Sequence, residues 1–343
     1  MENRNKFMKL TIQATVFVLL SMALPLQAMT LKIATLAPDG NNWMNQMRAG
    51  AAEVEKRTQG RVTFKFYPGG VMGSDKSVMR KIRVGQLHGG AVTSGVLADI
   101  YPDGQIYSFP LLFENYDEIN HVRARFDAQL IKNLEKKGFI AFGLSDGGLV
   151  YLMTNEPVRA IDDLRNKKIW VPEGDEITRA VFLDMGITPI QLPVSDVYTG
   201  LQTGLIDTVG ISPIGALAFQ WHTKTKYLTD NPLMYLSGVL VVSKKAFSKL
   251  QSGDQSIVRE VFSDVFASLN QQNQKDNIAA RKALQNNGIQ FVKLKPGEWG
   301  KLNQHVLSAT SRLKGKGEFS PGLLQSIKTF RDDYRSKHRT AAN

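Results

Sequence analysis

Three observations predict an α/β protein of two lobes, with parallel or mixed sheets and one long helix spanning both. Strands and helices alternate along the chain, the order that builds a helix-covered parallel sheet. An early strand–helix–strand–helix–strand passage is followed by a similar one after residue 168. Asp254 to Asn286 keeps a helical pattern with neither proline nor glycine, a length that one small lobe does not hold. The 343 residues suit about two domains.

The elements follow in order. Leu31 to Thr35 is a first strand, and Asn42 to Thr58 an amphipathic helix stopped at Gly60. Val62 to Tyr67 alternates as a second strand and ends at Pro68-Gly69-Gly70. Ser74 caps a helix to about Val84, and Ala91-Val92-Thr93 is the third strand. In the later passage Ile169-Trp170-Val171 is a strand and Asp175 to Met185 a helix. Thr188-Pro189-Ile190 is the next strand. Ser195 caps a helix to Thr203, and Thr208 to Ile211 closes the unit. Glu298 to Leu313 and Pro321 to Arg335 read as polar helices. Ligands of open α/β sheets bind beyond the carboxyl ends of strands, which places Thr35, Thr93-Ser94 and Ile211-Ser212-Pro213 at the cleft. Trp43 joins them, because it opens the first helix after the first strand's loop. Lobe 1 takes residues 29–149 and 238–280, and lobe 2 takes 150–237 and 281–335. Residues 336–343 form a basic tail. Hinges fall near Val150 and Ser237-Gly238.

Composition excludes several chemistries. Cysteine is absent, so the chain has no disulfide, thiolate metal site or lipoprotein processing site. The net charge of +12 first suggests a polyanion partner. Against that stands the N-terminus, where Arg4, Lys6 and Lys9 precede an apolar run from Leu10 to Leu24, with a small residue at Ala28. This is the pattern of a cleaved secretory signal over residues 1–28, and it sends the mature chain to the periplasm, away from nucleic acid. The only dense basic cluster is at the C-terminus (Lys328, Arg331, Arg335, Lys337, Arg339), read as a solvated surface.

Enzyme signatures occur as near-misses. Gly143-Leu144-Ser145-Asp146-Gly147 has the spacing of a nucleophile elbow, but a strand rather than a helix follows it. Gly70 to Ser77 resembles a phosphate loop, with Asp75 where a glycine belongs before Lys76. The five histidines lack metal-ligand spacing, and no cofactor is implied. A secreted hydrolase using Ser145 is therefore a remote alternative, and a non-enzymatic role is expected.

Several runs carry a family resemblance. Thr58-Gln59-Gly60-Arg61-Val62, Tyr67 to Asp75, Phe109-Pro110-Leu111-Leu112-Phe113, Asp162 to Ile169 and above all Leu192-Pro193-Val194-Ser195-Asp196-Val197-Tyr198-Thr199-Gly200-Leu201-Gln202-Thr203-Gly204 resemble the DctP-type extracytoplasmic receptors of TRAP transporters. The resemblance covers nearly all of the mature chain. It implies the two-lobe periplasmic binding protein fold, capture of a small organic solute, and delivery to a sodium-coupled TRAP-type membrane permease. An accessory or sensor protein with a non-transport partner is the alternative on the same fold.

The sequence departs from the family where the family reads its acid. Trp170 stands at the position of the family's carboxylate-binding arginine, Tyr151 precedes the Thr154-Asn155 pair, and Ser212 replaces an asparagine before proline. Removing one side of a buried charge pair costs about 2–5 kcal/mol. That is roughly 30- to several-thousand-fold in affinity, so an ordinary dicarboxylate is expected to bind poorly. Arg179 either relocates the charge or pairs on its own helix. Tyr151 and Trp170 offer flat surfaces to an aromatic, neutral or cationic solute. Glu173 and Asp175 either hold an amine or hydroxyls or serve as helix N-terminal acids. The resemblance also implies a ligand-proximal acid at Asp75. The expected ligand contacts are Thr35, Trp43, Asp75, Thr93, Ser94, Tyr151, Trp170, Glu173, Arg179 and Ser212.

Overall fold

The computed structural model describes residues 28–313, 319–320 and 322–339. The predicted signal segment lies outside them except for Ala28. Among the described residues no helix is long and apolar enough to cross a membrane.

The first unit is β1 (Met29–Thr35), α1 (Asn42–Arg57), β2 (Val62–Tyr67), α2 (Asp75–Arg83) and β3 (Gly89–Thr93). β2, β1 and β3 lie side by side and parallel, as the alternation predicts. Ser74 caps α2, its hydroxyl accepting from the Ser77 N–H. α3 (Tyr116–Lys136) leads into β4 (Phe139–Thr154). The second unit is β5 (Trp170–Pro172), α4 (Glu176–Asp184), β6 (Ile190–Leu192), α5 (Val197–Thr203), β7 (Thr208–Ile211) and α6 (Pro213–Ala218). β8 (Tyr227–Ser243), the short α7 (Lys244–Phe247), α8 (Ser252–Asn286), β9 (Gln290–Val292), α9 (Glu298–Ser311) and α10 (Leu323–Arg339) complete it.

The second unit repeats the first in its pairing. β6 pairs parallel with β5, and a parallel bridge from Ile169 to Thr208 joins β5 to β7. β3 and β7 then each pair antiparallel with a long strand, β8 and β4 respectively. β4 and β8 run antiparallel to each other through both lobes, so the sheet is mixed. Their register shifts between Ala141 and Leu144, between Asp146 and Gly148, and between Val150 and Leu152. Extra residues in a ladder bend a strand and leave backbone groups unpaired. Ser195 does not cap α5. A 3₁₀ turn precedes the helix, and the Ser195 hydroxyl donates to Asp196 instead.

α8 crosses both lobes, touching α1 and β4 on one side and α6 further along. Its buried residues Val258, Phe262, Phe266, Leu269, Asn273, Asn277, Ala280 and Leu284 recur at helical spacing. Two glycines of β4 make room for it. A Cβ on Gly143 would meet Phe266 at 2.7 Å, and Gly148 has φ +94° with Asn277 2.6 Å from a Cβ position. Of the elbow-like pair around Ser145, Gly143 thus serves the helix crossing, whereas Gly147 makes room for Leu236 of β8. The chain continues through Ser145 as strand, paired with Gly238, and does not turn into a helix.

The bends of β4 are braced by polar side chains. Asn270 accepts from the Asp146 N–H at 2.8 Å and donates to the Leu144 carbonyl at 2.9 Å. Asn273 donates to the Asp146 carbonyl, and Arg123 of α3 donates to the Leu144 carbonyl at 2.7 Å. Buried backbone groups need partners, and these side chains supply them.

α9 and α10 part company. α9 packs on α4 of the second lobe, whereas α10 packs on α3 of the first. The C-terminal basic residues read as a solvated surface are partly consumed in that docking. Arg331 is buried and donates to the Leu112 carbonyl at 2.6 Å, and Arg335 pairs with Glu118 at 2.7 Å. His121 stacks on Phe330 at 4.3 Å between ring centres.

Candidate solute-binding site

A cavity of about 250 Å³ lies between the lobes. Its first-lobe wall comes from the ends of β1 and β3 and the loops that follow: Leu36, Thr93, Ser94, Gln105, Ser108, Pro110 and Leu111. Its second-lobe wall comes from the same ends of the repeated unit: Trp170, Glu173, Asp175, Thr178, Ile211, Phe219 and Trp221. Val150 and Leu152 of β4 and Leu233 and Leu236 of β8 form its floor. The cavity continues to Leu302 and Val306 of α9, inside the second lobe.

The aromatic wall is built by packing. The Trp170 indole N–H donates to the Leu192 carbonyl at 3.0 Å, which fixes the ring. Trp170 meets Trp221 edge-on at 5.2 Å, and Phe219 lies 5.7 Å from Trp221. Gln220, between them, has φ +58°, and Leu111 across the cavity has φ +59°. Such conformations cost a non-glycine residue about 1–3 kcal/mol and cluster at ligand sites.

The polar groups are few. Ser94 shares hydroxyl hydrogen bonds with Ser108 at 3.3 Å and Ser237 at 3.1 Å. Thr93 is held by Asp75, whose carboxylate accepts from both the Thr93 N–H and hydroxyl. Burial pushes the Asp75 carboxyl above its ordinary range, against those two hydrogen bonds. Asp175 caps α4 by accepting from the Thr178 N–H at 3.0 Å, and burial likewise raises its carboxyl. Gln105 is only 3% exposed, and its amide side chain belongs to the cavity wall. The buried Thr178 hydroxyl lies beside Asp175 without a hydrogen bond of good geometry. Lys76 of α2 reaches across the rim to Glu173 at 3.2 Å, so the two lobes touch there. No lysine, arginine or histidine is among the described residues that line the cavity.

Of the residues expected from sequence, Thr93, Ser94, Trp170 and Glu173 line the cavity, and Asp75 stands one residue behind Thr93. The others are elsewhere. The Thr35 hydroxyl accepts from the Ala37 N–H and shapes its own turn. Trp43 packs on the core beneath α8, with Leu31, Ile33 and Phe262. Tyr151 lies between cavity-facing Val150 and Leu152, so strand alternation turns it to the opposite face. There Arg281 of α8 lies 4.8 Å over its ring, with its guanidinium paired to Asp230. Arg179 takes its second alternative, an ion pair with Glu176 on its own helix at 3.3 Å. Ser212 is buried at the N-terminus of α6 and is not a lining residue. Gln105, Thr178, Phe219 and Trp221 were not expected. Gln105 sits in an irregular 3₁₀ stretch without periodicity. Asp175 had been weighed with Glu173, and Thr178 one turn beyond it follows from the same cap.

The sequence model of the bacterial extracellular solute-binding protein family 7, DctP, matches residues 33–313. The C4-dicarboxylate-binding periplasmic protein of Rhodobacter capsulatus is 24% identical over 202 residues, which are 57% of this chain and 60% of that one. The chain spans about three-fifths of the length of several such curated relatives. A sugar acid binding protein from Advenella mimigardefordensis, solved with galactonate, superposes with a TM-score of 0.81 at 19% identity. That match covers 90% of this chain and 99% of that one. An extracytoplasmic solute receptor of Bordetella pertussis, solved with pyroglutamic acid, gives 0.80 at 21% identity, covering 89% and 100%. These structures share the two-lobe fold. With the family model covering most of its length, the chain belongs to the DctP family of bacterial extracellular solute-binding proteins.

Proposed function

We propose that the protein is a periplasmic receptor that captures one small organic solute between its lobes and hands it to a sodium-coupled TRAP-type membrane permease. The cavity shared by both lobes, with Lys76 meeting Glu173 at its rim, is the observation that carries this reading. A solute touching both walls favours the closed arrangement through its differential affinity for it. The long strands β4 and β8 are the only sheet connections between the two repeated units among the described residues. Their register shifts near Val150 and Ser237-Gly238 act as the hinge. The permease recognises the closed form.

Family membership supports this reading, and so do the named solutes of the similar proteins, each a small organic molecule. The walls present no nucleophile–base pair. Ser145 lies in a strand, and His222 and His305 are bonded to the Ala216 carbonyl and to Asp184.

The test is mass spectrometry of small molecules released from protein purified natively from periplasm, with thermal melts across a library of organic solutes. A receptor retains one solute in about equimolar amount or is stabilised by one class of the library. Neither retention nor stabilisation overturns the reading.

A further inference from the structure

The relatives described above were solved with acids, but the cavity here has no cation to meet one. Its charge is of the opposite sign. Glu173 is answered by Lys76 at the rim, whereas Asp175 has no ion-pair partner among the described residues. One carboxylate therefore faces an otherwise apolar, aromatic space. Bringing a second carboxylate beside it, away from water, adds repulsion to desolvation. Bringing an ammonium group there cancels the charge, and the adjoining indole of Trp170 attracts the same cation through its ring face. One unspent polar group faces the same space. The Thr178 hydroxyl oxygen, buried without a hydrogen bond of good geometry among the described residues, can accept an N–H, and the Gln105 amide lines the same cavity. A buried polar group left unpaired costs about 1–3 kcal/mol, so the site is completed by a solute that supplies donors. The rest of the wall asks for an apolar body.

On the reading of the protein as a solute receptor, we propose that its solute is a small amine with an aromatic or branched apolar body and no carboxylate. Asp175 takes the ammonium group, Gln105 and Thr178 accept its remaining N–H bonds, and Trp170 packs against it. Phe219, Trp221 and the β4 floor hold the body.

Three probes of one shape separate the alternatives: phenethylamine, phenylacetamide and phenylacetate. Each is titrated calorimetrically at neutral pH into the exported full chain after its retained solute has been removed. The expected result is binding of the amine at least tenfold tighter than the amide, with the acid weakest. Asp175→Asn keeps an acceptor for the Thr178 N–H, so α4 keeps its cap, and its amine affinity falls at least tenfold while the amide is little changed. Phenylacetate binding as tightly as phenethylamine overturns the proposal, and so does amine affinity indifferent to Asp175→Asn. Binding of none of the three overturns this solute class. The receptor reading is decided separately, because a solute released from native protein identifies a receptor whatever its charge, and an acid released there overturns only the amine.

Discussion

A carboxylate buried in an apolar wall is a cost to the empty protein. Asp175 shows the sign of that cost. Its carboxyl is raised above the ordinary 3.8 by burial, opposed by the hydrogen bond from the Thr178 N–H. The folded protein thus holds this proton more tightly than the unfolded chain does. The penalty is absent below the unfolded value and develops as pH rises through the folded one. Asp175→Asn is expected to melt about 2 °C or more above the parent at pH 7, the gap closing toward pH 4. Thermal melts from pH 4 to 8 check this, and a variant no more stable at pH 7 contradicts it. Trp170 and Tyr151 make a second residue-level pair. Trp170→Phe loses indole surface against the solute and weakens binding up to about tenfold, from contacts worth about 0.5–1.5 kcal/mol. Tyr151→Phe, on the far face under Arg281, leaves the affinity unchanged. A titration in which Tyr151→Phe is the more damaging of the two places the solute on the wrong face. The structure puts one of these two residues on the cavity wall and the other on the opposite face. Trp170 opens a three-residue strand in the regular repeated unit, whereas Tyr151 lies beyond two register shifts that no periodicity announces. Gln105 and Thr178 were invisible for other reasons: Gln105 lies in a 3₁₀ stretch without periodicity, and an unpaired hydroxyl is a property of surroundings, not of spacing.

Among the elements, α8 was the most legible. A run from Asp254 to Asn286 without glycine or proline left little choice, and the helix occupies Ser252–Asn286. Its partners were less so. Gly143 and Gly147 have the spacing of an enzyme motif, but the space they leave is filled by Phe266 of α8 and Leu236 of β8. Phe266 fills that crossing and is almost fully buried. Phe266→Ala is expected to cost about 3–5 kcal/mol, read as a shift in the denaturant midpoint at unchanged slope. A loss under 1 kcal/mol would mean that α8 does not brace β4 there. The rim contact between α2 and the loop after β5 is a weaker element. Lys76 and Glu173 are both about 40% exposed, and exposed pairs contribute under about 1 kcal/mol. Lys76→Ala should therefore speed solute release no more than about fivefold with little change in association, as stopped-flow traces will show. The repeated unit was legible as a pattern of glycine stops before Gly89 and Thr208. Its mixed sheet was not, because the antiparallel pairing depends on β4 and β8, which look like separate short strands in sequence.

At the scale of the molecule, two connections join the lobes among the described residues: the paired strands β4 and β8, and the helix α8. Of the last two helices, α9 packs on α4 of the second lobe and α10 on α3 of the first. The two-lobe class followed from the repeat and the long helix, while the position of α10 depended on ion pairs such as Arg335 with Glu118 that sequence separation hides. Between the lobes lies a space large enough for a small solute, and the account rests on that space being the binding site. The most direct measurement is a crystal structure of the natively purified protein with its solute retained. The account predicts one solute in contact with both lobes, bounded by Trp170, Thr93 and Gln105. A solute touching one lobe only, or bound on the Tyr151 face of the sheet, would contradict it.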